Sequence, residues 1–161
     1  MAAVKVKRSK FMTFLNIQPS STAKYALIGE GVTTGEIGYN AQTEEEIYIH
    51  QDSGVTDITA YKPTMPVEAT AVQGDEVFDF VDKLRMDRAV LGDAITDIVN
   101  VWLYQAEQSG SWPAEKQSVA VSIDSFGGEG GKPAKIKYTL NYQGDPVKGK
   151  FNPTTKTFEA G

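Results

Sequence analysis

Val119, Val121 and Ile123 alternate with Ala120, Ser122 and Asp124, and Ile136, Tyr138, Leu140 and Tyr142 alternate with Lys135, Lys137, Thr139 and Asn141. Successive side chains of a strand point to opposite faces, so this pattern puts all the apolar residues on one side. One face is buried and one is wet, which is the signature of antiparallel sheet. The glycine-rich run Gly127-Gly128-Glu129-Gly130-Gly131-Lys132-Pro133 joins the two segments. Gln143-Gly144-Asp145-Pro146 reads as a second turn, leading into Val147 to Phe151, and Asn152-Pro153-Thr154-Thr155 reads as a third, leading into Thr157-Phe158. The last third of the chain is therefore predicted to be a meander of four strands.

One helix stands against this background. Val77, Phe80, Val81 and Leu84 recur at i, i+3, i+4 and i+7 between Asp75 and Arg88. Asp75 suits the N-cap, Glu76 and Asp79 lie in the first turns, and Lys83, Arg85 and Arg88 lie towards the end, in keeping with the helix dipole. Asp79 and Lys83 form an i,i+4 pair, and Gly92 is expected to stop the segment. Residues 94–104 fit both a helical face and a strand; their β-branched content favours the strand. Short extended pieces are expected at Tyr25 to Ile28, Ile37 to Asn40 and Glu46 to His50. Val55 to Tyr61 and Met65 to Ala71 flank Lys62-Pro63-Thr64 as a hairpin or a corner. The predicted fold class is mainly β: a β-sandwich or barrel of antiparallel sheets with one flanking α-helix. The domain division is an N-terminal arm over 1–20 and a single domain over 21–161.

The charges are unevenly placed. The 161 residues carry 16 Lys+Arg and 21 Asp+Glu, a net charge of −5. Lys5, Lys7, Arg8 and Lys10 stand in the first ten positions without an acid, so the remainder holds 12 basic and 21 acidic residues, or −9. A basic arm on an acidic body suggests different partners for each. An acidic body argues against a domain that grips phosphates. The absence of cysteine excludes a disulfide scaffold, a zinc ribbon, an Fe–S site and a thiol nucleophile. The single histidine, His50, excludes a two-His metal site within one chain. No apolar run approaches the roughly 20 residues of a membrane helix. The basic start lacks a following apolar region or cleavage site, so no signal peptide is expected.

Four local patterns carry residue types found in chemical sites. Gly29, Gly31 and Gly35 follow an apolar strand, yet the spacing misses the dinucleotide fingerprint by one residue and no βαβ unit follows. The Gly127 to Gly131 run with Lys132 is followed by Pro133 instead of the Ser or Thr of a phosphate loop. Glu44, Glu45, Glu46, His50 and Asp52 are the one local cluster with the residue types of a metal or acid–base site; a solvated acidic loop is the plainer reading. Trp102 and Trp112 fit one core and one loop or interface tryptophan. No catalytic constellation results, and no enzyme, metal or cofactor is expected.

The order of elements resembles the major tail tube proteins of long-tailed bacteriophages. The residues carrying the resemblance begin with Tyr25-Ala26-Leu27-Ile28-Gly29, then Tyr39-Asn40-Ala41-Gln42-Thr43-Glu44 before Ile47-Tyr48-Ile49. The hairpin Thr56 to Tyr61 with Pro66 to Val72 follows, then Gly74-Asp75 with the helix. Val119 to Ile123, the glycine loop after Phe126, Lys135 to Asn141 and Gly149-Lys150-Phe151 complete it, closing on Thr157-Phe158. The resemblance implies hexameric rings stacked into a hollow tube whose lumen passes DNA from capsid to host cell without binding it specifically. It implies as partners further copies of the chain, a tape measure protein, a terminator and baseplate or tail-tip proteins. It implies a place in the virion tail, production in the bacterial cytoplasm and no membrane partner.

The same resemblance implies contacts between rings by a long loop and by the N-terminal arm. The loop is expected over Gly29 to Thr43, with Gly29, Gly31, Thr33, Thr34, Gly35 and Asn40 in it and Glu44, Glu45 and Glu46 beside it. The arm is expected to use Lys5, Lys7, Arg8 and Lys10 on a neighbour's acidic surface. Rival readings are the tube of a contractile tail, tail-like bacteriocin or secretion apparatus, a β-sandwich binding module of a tail tip, and a small β-barrel enzyme using His50.

Overall fold

The computed structural model describes residues 2–161. Its strands in chain order are β1 (Phe11–Asn16), β2 (Tyr25–Leu27), β3 (Val32–Gly35), β4 (Ala41–Glu46), β5 (Val55–Tyr61) and β6 (Thr64–Thr70). Helix α1 (Glu76–Asp87) follows, then β7 (Ile95–Trp102), β8 (Trp112–Gly127), β9 (Lys135–Asn152) and β10 (Thr157–Ala160). Eight strands form one antiparallel sheet in the order β2-β1-β7-β8-β9-β6-β3, with β10 on the far half of β9. The sheet curls so that its edges approach: residues 28–31 cross directly from β2 to β3. Strands β4 and β5 form a separate two-stranded sheet. The mainly β class with one flanking helix stands as expected.

The alternating faces meet as the sequence requires. Val119, Val121, Ile136, Tyr138 and Leu140 point into the curl with Leu15, Ile98, Met65 and Val67, and α1 adds Val77 and Val81. Asp75 caps α1 by accepting from the Phe78 N–H at 3.0 Å, and Arg88 ends it in the left-handed region at φ 46. The helix therefore stops at Arg88, before Gly92. Its ion pair is Asp82 with Arg85 at 2.6 Å, and the Asp79 carboxylate instead accepts from the Gly74 N–H. Residues 95–102 are a strand, with both faces buried over Ile98–Val101.

Four expectations change. Phe11–Asn16, placed in an arm, is β1, paired with β7 from Phe11↔Trp102 to Leu15↔Ile98. Its Phe14 and Leu15 are buried on opposite faces, so polar and apolar residues do not alternate along the segment. Strands β5 and β6 do not pair: β5 pairs with β4 and β6 with β9, so Lys62-Pro63 is a corner. The expected turn at Gln143–Pro146 is a bulge inside a continuous β9. Here the register steps from Lys116↔Val147 to Ser118↔Gln143, and Gln117 donates to the Gly144 carbonyl at 2.8 Å, filling the gap in the ladder. Both tryptophans are partly buried, with Trp102 stacked on Phe11 at 5.1 Å between centroids.

Candidate assembly surface

The β4–β5 hairpin leaves the body at a tied base. Asn40, at φ 49, donates through Nδ2 to the carbonyls of Lys62 at 3.0 Å and Gly38 at 3.2 Å. Gly38 and Thr64 exchange backbone hydrogen bonds of 2.8 and 2.9 Å, and the Lys62 N–H donates to Tyr39 at 3.1 Å. Beyond this base nearly every residue is exposed. Glu44 lies directly opposite Asp57, and Glu45 and Glu46 flank it. Like charges across a strand pair repel. Ile47, Tyr48 and Ile49 occupy the tip in solvent, and Ile58 on the shaft is 58% exposed. Such a run of bare apolar side chains is a candidate contact surface.

The acidic cluster weighed with His50 does not converge. His50 is exposed in the tip and lies flat against Tyr48 at 6.4 Å. Among the described residues no three His, Asp or Glu side chains are placed to hold a metal. In the glycine loop, Lys132 pairs with Glu129 at 3.1 Å.

The residues expected in a loop from Gly29 to Thr43 fall into three settings. Gly29 and Gly31 lie in the β2–β3 crossing. At Gly31, φ is +78 and a Cβ would meet the Thr70 carbonyl oxygen at 2.8 Å, so glycine is required where β3 joins β6. Thr33, Thr34 and Gly35 are in edge strand β3, with Thr34 opposite Glu68. Asn40 pins the hairpin base, and Glu44, Glu45 and Glu46 belong to β4. The stretch is thus an edge strand leading to a hairpin, because Val32 and Gly35 find register partners in Ala69 and Val67.

The arm is shorter than its charges suggest. Arg8 is fixed to the body: Nε and Nη2 donate to the Gly35 carbonyl at 3.3 and 3.0 Å, Nη1 donates to the Phe11 carbonyl at 2.6 Å, and the guanidinium covers the Phe11 ring. Residues 2–7 lie outside any helix or strand and are exposed. Lys5, Lys7 and Lys10 make no salt bridge among the described residues.

The wet face of β6, β8 and β9 is polar. Asn141 donates to Ser122 Oγ and the Ala120 carbonyl, each at 3.1 Å, and the Thr139 hydroxyl donates to Asp124 at 2.8 Å. Lys135 lies 3.6 Å from Glu68, and Lys137 is opposite Glu68 in register. Acids and lysines balance there, so the acidity of the body is carried elsewhere, chiefly by the hairpin and the helix.

At the end of β1 the buried polar groups are satisfied. Asp97 accepts from Tyr25 OH at 2.6 Å and from Asn16 at 2.8 Å. Burial, with the Asp97 carboxylate beside it, pushes the Tyr25 phenol far above its ordinary range. Desolvation pushes Tyr142 to about 12, against the opposing effect of Asn100, which donates to its hydroxyl at 3.1 Å. Lys24, 2.7 Å from Glu76, holds that carboxyl below its usual value.

Sequence reasoning singled out the acids of the hairpin and missed its apolar tip. The available signal was Ile47-Tyr48-Ile49 set between an acidic run and the turn Asp52-Ser53-Gly54. It also missed Met86, Val90 and Leu91, which stand exposed around the end of α1.

No family model matches this chain, and no curated protein matches it in sequence. Solved structures do match in fold. A chain from the tail of an empty GTA particle, refined with C6 symmetry, is similar over 97% of this chain and 100% of its own, at TM-score 0.63 and 11% identity. A chain from the sheath/tube terminator structure of the PVC extracellular contractile injection system is similar at TM-score 0.53 and 12% identity, over 92% of this chain and 99% of that one. A chain from the six-fold symmetrised baseplate of the anti-feeding prophage is similar at TM-score 0.50 and 10% identity, covering 92% and 97%. At these identities the shared property is the fold.

Proposed function

We propose that this chain is a structural subunit of a bacteriophage tail tube, forming hexameric rings that stack into a hollow conduit for DNA. The observation that carries the reading is the β4–β5 hairpin, which presents an apolar tip and an acidic shaft to solvent and packs too little of itself to serve its own copy. The whole-length likeness to a chain from a C6-refined tail supports the same reading. In it the hairpin bridges successive rings. The polar face of β6, β8 and β9 lines the lumen, where hydroxyls, amides and balanced charges give passing phosphates no fixed basic site. Open sheet edges are covered by the next copy. The long-tailed, non-contractile type is the form proposed. The partners are a tape measure protein, a terminator and tail-tip proteins, in a virion tail made in the bacterial cytoplasm.

A second reading, the tube of a contractile tail or injection system, is favoured by the likeness to chains from the PVC and anti-feeding prophage structures. Negative-stain images of the purified protein test the common core of both: rings or tubes with a central hole are expected. Replacing Ile47–Gly54 with Asn-Gly is expected to leave the circular dichroism melt of the subunit in place and to abolish stacking. A uniform monomer from the wild-type chain at high concentration, or tubes of normal length from the shortened hairpin, would overturn the proposal.

A further inference from the structure

An open groove of about 900 Å³ runs between α1, the loop after β1 and the turn before β7. Its floor is apolar, with Ile17, Phe80, Leu84 and Val90, and Val90 is 66% exposed. Its rim carries Glu76, Asp79, Asp87 and Asp93 against Lys83 and Arg88, and Glu76 is already held by Lys24. The rim is therefore net acidic. The arm has the complementary pattern. In Ala3-Val4-Lys5-Val6-Lys7 the two valines alternate with two lysines, and Val4 and Val6 are 84% and 58% exposed. Laid out as a strand, this segment presents valines to one side and ammonium groups to the other.

The ends of β1 decide which copy's groove the arm can fill. The arm joins the body at Arg8, which precedes β1, and the groove wall Ile17–Ser21 follows β1. Strand β1 is 6 residues long, so arm root and groove are separated by its length, roughly 20 Å. Residues 2–7 reach about 20 Å fully extended. Filling its own groove would require the arm to double back at the pinned Arg8 along the whole of β1. A second copy set head-to-tail brings its groove to the arm without that reversal.

We infer that residues 2–7 of one copy dock in the α1 groove of the next, Val4 and Val6 on the apolar floor and Lys5 and Lys7 against the acidic rim. The inference rests on the tube reading and names the receptor for the arm within it. The β4–β5 hairpin is the poorer occupant, because the carboxylates of its shaft would meet those of the rim. Arm and groove are different surfaces, so the contact is heterologous and propagates along a stack.

The chain has no cysteine, which makes crosslinking a clean test. Val6→Cys and Val90→Cys variants, one carrying a size tag, are mixed under assembly conditions and oxidised. A mixed covalent dimer is expected, and it is expected to be absent when Ile58→Cys replaces Val90→Cys. In parallel, K5E/K7E is expected to lower the assembled fraction about tenfold, and D87K/D93K in the same chain to restore it. Tubes that form without the mixed dimer, a dimer through the hairpin cysteine instead, or tubes indifferent to K5E/K7E overturn the groove assignment and leave the tube reading standing. A wild-type chain that stays monomeric, together with no mixed dimer between the two cysteine variants, overturns both.

Discussion

In the eight-stranded sheet, Leu140, Val119 and Ile98 have no exposed surface; in the β4–β5 hairpin, Ile47 and Ile58 stand 61% and 58% exposed. Both are antiparallel. The sheet closes on its own apolar face and buries Thr13, Asn16 and Asn100 only with partners, such as the 2.8 Å bond from the Thr13 hydroxyl to Asn100. The hairpin has no second layer, and its register sets Glu44 against Asp57. A two-stranded ribbon of that kind is marginal by itself. The difference separates what folds the chain from what it leaves in solvent.

The contrast can be broken from either side. Leu140→Ala is expected to cost about 2–5 kcal/mol in denaturant titration, because the cavity opens in the centre of the sheet. A loss below 1 kcal/mol would show that the sheet relaxes as the hairpin does. High pH is expected to destabilise the body through its buried phenols, an effect that mild acid does not have. The Tyr142 phenol titrates near 12 in the fold and near 10 unfolded, so its stabilisation is complete below about pH 10 and is lost as pH rises towards 12, about 2 kcal/mol in melts over that range. Ile47→Ser with Ile49→Ser is expected to change monomer stability by no more than ~0.5 kcal/mol while reducing tube length in electron micrographs. The smallest effect is Asp57→Lys, expected to tighten the hairpin by a few tenths of a kcal/mol through the new pair with Glu44, read as slower amide exchange in β4 and β5.

The sheet was legible where one face is wet and one dry. Val119 to Ile123 and Ile136 to Tyr142 announce their pairing, and Asp75 with the Val77–Leu84 stripe announces α1. Phe11–Asn16 hides because both of its faces are covered, leaving no alternation to read. The continuity of β9 through Gly144-Asp145-Pro146 depends on Gln117, 27 residues from the Gly144 carbonyl it holds, and turn chemistry alone points to a break. The partner of β5 was hidden for the opposite reason: neither face of the hairpin is buried, so pattern carries no register. The candidate surface was legible as charge and not as shape. The acidic run and the basic start were visible, but the anchoring of Arg8 to Gly35 and the apolar floor beneath α1 come from residues distant in sequence.

The pairing of β1 with β7 has a consequence in time. Thr13 meets Asn100 across 87 residues of chain, and Phe14 packs on Phe151, with ring centroids 4.6 Å apart. During synthesis β1 emerges before β7, and its pairing with β7 waits until residues 95–102 have been made, a long-range closure that folds slowly. Until then the arm has no fixed root. A basic segment made early is thus seated by a strand made late.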